Sequence, residues 1–292
     1  MNIVLFGKNG QLGWEFQHSL PILGNLVSLD RAELDLCDLQ AIERTLEEVR
    51  PHLIINASAY TDVDRAETEM ETALKINALA PGIMAEMARK LGAVLIHYST
   101  DYVFDGEKNA PYTESDPTNP LNAYGKSKVA GEENIQQAGE AYLILRTSWV
   151  YSLRGTGFVN KVLGWARKNP SLRIVDDQIS NPTWARMLAD VTGLLLAQNR
   201  VDLYNRMRDT RGIYHVAGSG HTSRYEWAKQ ILMNDPRQVE QIVQSVQPAR
   251  SEEFPTPALR PLFSALDCTH FEATFGLRPP PWDETLKLAM AG

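Results

Sequence analysis

A doubly wound α/β fold around a parallel sheet is predicted by three observations. Short apolar runs, of the kind buried on both faces of a parallel sheet, alternate with helix-compatible segments through the first half of the chain. The first run is followed at once by a glycine turn, Gly7-Lys-Asn-Gly10-Gln-Leu-Gly13, that opens a helix. Polar residues gather where the runs end, at the edge where open parallel sheets take their ligands. With 292 residues, 43% of them hydrophobic and 22% charged, the chain can bury one large core and a smaller one. The large Rossmann-like domain is assigned to residues 1–150, with further strands and helices contributed from later segments. Residues 151–292 form mainly a smaller C-terminal substrate-binding annex.

The charge balance excludes several classes. Net charge is −7 and no Lys/Arg stripe is present, which argues against a nucleic-acid partner. No apolar stretch approaches the roughly 20 residues that span a bilayer. The start, Met1 to Gly7, lacks the basic region of a signal peptide, so no membrane role and a cytoplasmic location are expected. Cys37 and Cys268 lie far apart without metal-ligand spacing, which suits reduced thiols. The Asn56-Ala-Ser58 acceptor pattern is then a chance match.

Asn2 to Phe6 reads as the first buried strand. Gly7 allows a tight turn, Gly10 lets backbone approach a pyrophosphate, and Gly13 lets helix and strand pack closely. The second strand, Leu26 to Leu29, ends at Asp30, where such folds place an acid for a ribose 2′-hydroxyl. Arg31 suits a 2′-phosphate instead, so NADH and NADPH both stay open. Asp35 and Leu36 either border an adenine or belong to an ordinary loop. A helix over Leu39 to Val49 and a strand ending at Asn56 complete the first half, and Ala59, Tyr60 and Thr61 follow as candidate cofactor wall. Glu67 to Leu91 is helical, kinked or divided at Pro81; Asn77 within it is either a buried relay or helix surface.

The strand Ala93 to Tyr98 closes with Ser99, Thr100, Asp101 and Tyr102 at the edge where a reacting carbonyl would lie. His97 reads as a satisfied core histidine. After an irregular loop, residues 105–122, a helix over Ala123 to Gln137 carries Tyr124 and Lys128 one turn apart on one face. A free phenol, with a pKa of about 10, is a poor acid at neutral pH, and an adjacent ammonium favours its anion. Next come a strand over Tyr142 to Arg146, Trp149 as sugar stack or core, a helix over Phe158 to Lys168, a strand over Ile174 to Gln178, and the segment Ile213 to Gly218.

The glycine turn, the hydroxyls after the fourth strand and the Tyr-x-x-x-Lys pair together point to hydride chemistry on a carbonyl or alcohol with a nicotinamide cofactor. Tyr124 would supply the proton, Thr100 a hydrogen bond to the carbonyl, and Lys128 would hold the ribose and tune Tyr124.

These residues, with Asn56 to Glu67, His97 to Phe104, Asn119 to Lys128, Arg146 to Tyr151 and Phe254-Pro-Thr-Pro257, resemble the extended short-chain dehydrogenase/reductases, and among them the dTDP-4-dehydrorhamnose reductase family. The resemblance covers most of the chain. It implies reduction of the C4 ketone of dTDP-4-dehydro-6-deoxy-L-mannose to dTDP-L-rhamnose, a sugar donor for bacterial surface polysaccharides, with NADPH or NADH. Carried over by position, Gly10, Gln11, Leu12, Asp30, Asp35, Leu36, Ala59, Tyr60, Thr61, Tyr98, Tyr124 and Lys128 meet cofactor, and Val63, Thr100, Asp101 and Trp149 meet the nucleotide sugar. Arg260 either meets the diphosphate or makes a surface ion pair. Some members dimerise through magnesium held by two glutamates; Glu15 matches the first, but Arg186 occupies the second, so no metal is expected and the chain should be a monomer or a differently built homodimer. Nucleotide-sugar dehydratases and epimerases share the fold, but the related dehydratases carry Asp-Glu after the Thr, where this chain has Asp101-Tyr102. A regulatory subunit like that of methionine adenosyltransferase is the non-catalytic alternative.

Overall fold

Side chains alternate across a strand, and this parity assigns the two layers that cover the sheet. The computed structural model describes residues 1–292. Its strands are β1 (Asn2–Phe6), β2 (Asn25–Leu29), β3 (Leu53–Asn56), β4 (Val94–Thr100), β5 (Tyr142–Thr147), β6 (Val150–Tyr151), β7 (Ser171–Val175), β8 (Ile179–Ser180), β9 (Thr183–Trp184), β10 (Gly212–His215), β11 (Thr222–Ser223) and β12 (Ser245–Ala249). Its helices are α1 (Gln11–Ser19), α2 (Leu39–Val49), α3 (Val63–Ala66), α4 (Met70–Leu74), α5 (Ala80–Leu91), α6 (Ala123–Ala138), α7 (Phe158–Ala166), α8 (Ala185–Gln198), α9 (Leu203–Asp209), α10 (Arg224–Met233), α11 (Thr269–Phe275) and α12 (Trp282–Ala291). No helix is long and apolar enough to cross a membrane.

Six strands form one parallel sheet in the order β10, β5, β4, β3, β1, β2. Ile3 and Leu5 of β1 enter one core, beneath α1, α8, α9 and α11, while Val4 and Phe6 enter the other, beneath α2, α5 and α6. The predicted doubly wound α/β fold is therefore present. Its sixth strand comes from the Ile213 segment, and three of the four helices on one face come from beyond residue 184. A third core holds the annex together: Tyr151, Val159, Val162, Leu172, Trp227, Ile231 and Leu286 pack between α7, α10, α12 and the parallel pair β7–β12.

Two boundaries differ from the sequence expectation. The helix expected over Glu67 to Leu91 begins earlier, as α3, and passes from α4 into α5 through a π-helical turn, Lys75–Leu79. Pro81 follows directly on that turn, inside a helix that continues past it although its ring nitrogen has no N–H to give. The strand expected over Ile174 to Gln178 lies three residues earlier, in register with β12. Asp176 and Asp177 instead accept hydrogen bonds from Ser223 Oγ at 2.5 Å and Ser251 Oγ at 2.7 Å, which ends the strand.

Helix α6 is tied to the sheet by an ion pair taken wholly out of water. Arg146 of β5 donates to both oxygens of Glu132, at 2.9 and 2.6 Å, and Ser99 of β4 adds a third bond at 2.5 Å. At the other end of the sheet Gly7 adopts φ +90°, and a Cβ on Gly13 would lie 1.9 Å from the Gly7 carbonyl oxygen. Gly13→Ala is therefore expected to cost roughly 2 kcal/mol or more, because backbone must move to admit the methyl. Urea denaturation of the variant measures it; stability within 0.5 kcal/mol of wild type would show that the approach is not tight.

Candidate active site

The strand order reverses between β1 and β3, so the loops after these two strands diverge and leave a cleft at their carboxyl ends. Its volume is about 650 Å³. Gly10 caps α1 without a side-chain oxygen, so no side chain competes for the first N–H groups of that helix. Of the residues singled out for a cofactor, Gly7, Gly10, Gln11, Leu12, Asp30, Arg31, Asp35, Leu36, Ala59, Tyr60, Thr61, Tyr98, Tyr124 and Lys128 all line this cleft. Gly13 does not; it packs against Gly7 and shapes the turn. Ser58, Ile76, Thr147 and Val150 line it too, and sequence reading did not single them out. Two buried polar atoms there, Gln11 Oε1 and Thr147 Oγ1, have no protein partner, and the first residues of α1, whose N–H donors no side chain caps, line the same space. The residues therefore fit a dinucleotide: phosphates at the helix and polar ring substituents against the orphaned atoms.

At the mouth, the Asp30 carboxylate already accepts from the Asn9 amide and from Ala32 N at 2.8 Å. Arg31 is 86% exposed, its only ionic partner being Asp35 at 3.8 Å. Lys8 pairs with Glu33 and holds its carboxyl well down, near 2. On the opposite wall Asn77, in the π turn, is buried and clamps the loop: its Oδ1 accepts from Tyr60 N at 2.8 Å, and its Nδ2 donates to Tyr60 O and Ser127 Oγ. Of the two readings left open for Asn77, the buried one holds. Tyr60 is further held by its hydroxyl on Glu69 at 2.7 Å.

Asn122 caps α6 by accepting from Gly125 N, which starts the helix where its first turn meets the cleft. Tyr124 is half-buried, and desolvation pushes its phenol up while the Thr100 hydroxyl pulls against that. Lys128 is 1% exposed; its Nζ donates to Tyr98 O at 2.7 Å and lies 3.1 Å from His97 Nε2. Burial lowers Lys128 to about 8, with Glu132 opposing. The pair shares a helix face, yet no hydrogen bond joins Nζ to the Tyr124 hydroxyl. His97 has both ring nitrogens partnered, as a satisfied core histidine should.

The residues expected on the substrate side are placed differently. Thr100, at the end of β4, directs its proton to Asp101 Oδ1 at 3.1 Å and accepts from Tyr102 N. Asp101 is 2% exposed and lines neither cavity. Its carboxylate accepts from Ser264 Oγ at 2.5 Å and Ser180 Oγ at 3.1 Å, joining β4 to the annex, and burial pushes it up to about 6. Val63 starts α3 outside the cleft. Arg260 makes the ion-pair alternative, bidentate to Asp64 at 2.8 and 3.1 Å. Trp149 stacks on Trp227, 5.5 Å between centroids, so the core alternative holds for one face; its φ of +40° is strained for a side chain of that size. Arg224, which sequence reading missed, lies 3.7 Å from the Trp149 ring centre and pairs with no carboxylate; burial lowers it to about 10. With Phe158, Arg173, Gln178 and Phe254 it lines a second cavity of about 440 Å³. No local pattern marks Arg224, because its neighbours come from three separate segments. The expectation of no metal concerned Glu15; Arg186 of α8 stands 3.9 Å from its carboxylate.

Comparison with known proteins matches this architecture along its whole length. The family model described as the RmlD substrate binding domain matches residues 1–292. The chain is 39% identical over 291 residues to the dTDP-4-dehydrorhamnose reductase of Burkholderia thailandensis, covering 97% of this chain and 95% of that protein. It is 39% identical over 295 residues to that of Escherichia coli K12, covering 98% and 96%. A crystal structure of the Clostridium acetobutylicum dTDP-4-dehydrorhamnose reductase superposes with a TM-score of 0.90 at 35% identity, covering 100% of this chain and 99% of that one. The Bacillus anthracis enzyme in complex with NADP superposes with a TM-score of 0.88 at 33% identity, covering 99% and 98%. A Thermus thermophilus UDP-glucose 4-epimerase, at 20% identity and a TM-score of 0.80, shares the fold alone. The chain belongs to the dTDP-4-dehydrorhamnose reductase family, a family of NAD(P)H-dependent oxidoreductases.

Proposed function

We propose that the chain reduces the C4 ketone of dTDP-4-dehydro-6-deoxy-L-mannose to dTDP-L-rhamnose with NADPH, NADH being the weaker donor. The observation that carries this reading is the convergence of Tyr124 and Lys128 of α6 on the cleft opened by the glycine turn. Relatives of 39% identity named for this activity, and one of 33% identity bound to NADP, support it. Bound in the cleft, the reduced nicotinamide supplies a hydride. Tyr124 delivers the proton to the ketone oxygen; desolvation keeps its phenol protonated at neutral pH, and the Lys128 charge, one turn along, stabilises the phenolate left behind. An N–H of Lys128 not taken by Tyr98 O would hold a ribose hydroxyl in the cleft that Lys128 lines.

Thr100 serves the ketone oxygen by turning its hydroxyl away from Asp101. Above a pH of about 6 Asp101 is a carboxylate that competes for that proton, so Thr100 contributes less than a free hydroxyl would. Arg224 over Trp149 and the second cavity suit the diphosphate and base of the nucleotide sugar: a cation without a carboxylate partner, beside aromatic faces. Dehydration is disfavoured because Tyr102 follows Asp101 where an eliminating acid would be required.

Two measurements test the assignment. Tyr124→Phe is expected to lower kcat by about 10²- to 10⁴-fold while reduced cofactor still binds, followed by the absorbance of NADPH with the enzymatically prepared 4-keto-6-deoxy nucleotide sugar. No cofactor consumption by wild type, or a Phe variant as fast as wild type, would defeat the reading. The exposed guanidinium of Arg31 beside an Asp30 already supplied with donors favours a 2′-phosphate. Arg31→Ala should therefore raise KM for NADPH about tenfold and barely alter that for NADH. Equal changes for both cofactors would remove the 2′-phosphate contact.

A further inference from the structure

Beneath the cleft, on the side of Lys128 turned away from it, one hydrogen-bonded chain runs from backbone to ammonium site. Ser58 N donates to Asn56 Oδ1 at 3.1 Å, Asn56 Nδ2 lies 3.0 Å from His97 Nδ1, and His97 Nε2 lies 3.1 Å from Lys128 Nζ. Asn56 and His97 are 0% exposed, so no water completes the pattern from outside. A backbone N–H is always a donor, and counting from it settles every later role. Asn56 Oδ1 accepts, so its amide nitrogen donates; His97 Nδ1 therefore accepts, and the ring proton sits on Nε2, aimed at Nζ. An ammonium has three donors and no acceptor, so it would meet that proton donor to donor. A neutral amine has a lone pair for it, one N–H for Tyr98 O and one for the cleft.

We propose that Asn56 and His97 are positioning residues for the reduction: by locking His97 as the Nε2–H tautomer they favour Lys128 as a neutral amine, and so set the pH above which activity falls. This rests on the assignment of Lys128 to the reaction given above. The other groups facing Lys128 do not undo the lock. Tyr124, one turn earlier on α6, is a neutral phenol; the π turn sends the neutral Asn77 to Ser127 next to Lys128, and its one charged residue, Lys75, is paired with Glu71. Glu132, one turn later, favours the ammonium but is shared with Arg146 of β5 and Ser99 of β4. Burial works with the lock, lowering Lys128 to about 8 and holding His97 well below the usual imidazole range. Since the ammonium is the active form, the rate should fall as pH rises through that value. A weaker lock moves this fall to higher pH.

The tautomer is read directly by long-range proton–nitrogen NMR of the full chain labelled with ¹⁵N-histidine, the His97 signals being assigned by their loss in His97→Gln. Wild type without cofactor is expected to show a neutral ring protonated on Nε2. In Asn56→Asp the carboxylate accepts from both Ser58 N and His97, so the ring proton moves to Nδ1 and Nε2 becomes an acceptor for the ammonium. The alkaline limb of kcat/KM should then move upward by about one pH unit, and His97→Gln, which offers Nζ an amide oxygen, should move it in the same direction. A wild-type ring protonated on Nδ1, or charged, overturns the proposal, as does a limb that stays in place in both variants while kcat falls at every pH. If wild type turns over no ketone at all, the functional reading fails, whereas the tautomer, which needs no substrate, still decides the lock.

Discussion

Lys128 is a cation withdrawn from water, and the architecture around the cleft follows from that constraint. Burying an ammonium costs several kcal/mol unless its donors are met and nearby charges compensate. Here the carbonyl of Tyr98 accepts from it on β4, the His97 ring stands 3.1 Å away, and Glu132 stands one turn away on its own helix. Glu132 in turn would be an uncompensated buried anion without Arg146. The same few residues thus anchor α6 to β4 and β5 and place Tyr124 at the cleft. The group proposed to tune the chemistry and the groups that fasten the helix are one network.

A second network joins the sheet to the annex. The Asp101 carboxylate, just after β4, accepts from its neighbour Thr100 and from the hydroxyls of Ser180 and Ser264, far along the chain. Its neighbour Thr100 belongs to the proposed carbonyl site, so the packing of the annex and the direction of the Thr100 hydroxyl are linked through one carboxyl group. The connection out of β5 carries the strained Trp149, whose ring is trapped between Trp227 and Arg224. Strain of this kind persists where surrounding packing over-determines the conformation. It places an aromatic face against a cation that lacks a carboxylate partner and lines the second cavity.

Much of this was legible from local pattern. The first five strands of the sheet, the glycine turn, the acid after the second strand and the Tyr-x-x-x-Lys turn are each encoded within a few residues, by alternation, by glycine spacing and by helical periodicity. Nearly every residue assigned to the cofactor lines the cleft for that reason, since the ends of parallel strands converge wherever the strand order reverses. The substrate side was less legible. Asp101 reads as a polar residue at a strand end, yet tertiary hydroxyls draw it inward; Arg224 reads as an ordinary helix-start arginine, yet the folded annex sets it over Trp149.

The sequence by itself determined the elements and the chemical groups: which runs become strands, where the backbone turns around phosphates, and that a phenol and an amine share one helix face. Those properties depend on neighbours one to four residues apart, whose spacing the chain carries in its covalent order. Only the tertiary structure decided the partners of the buried charges, the return of β10 to the sheet, and the tautomer of His97 that faces Lys128. Those depend on residues tens to hundreds of positions apart, brought within 3 to 4 Å by packing, where desolvation and the count of donors and acceptors settle the protonation of each group.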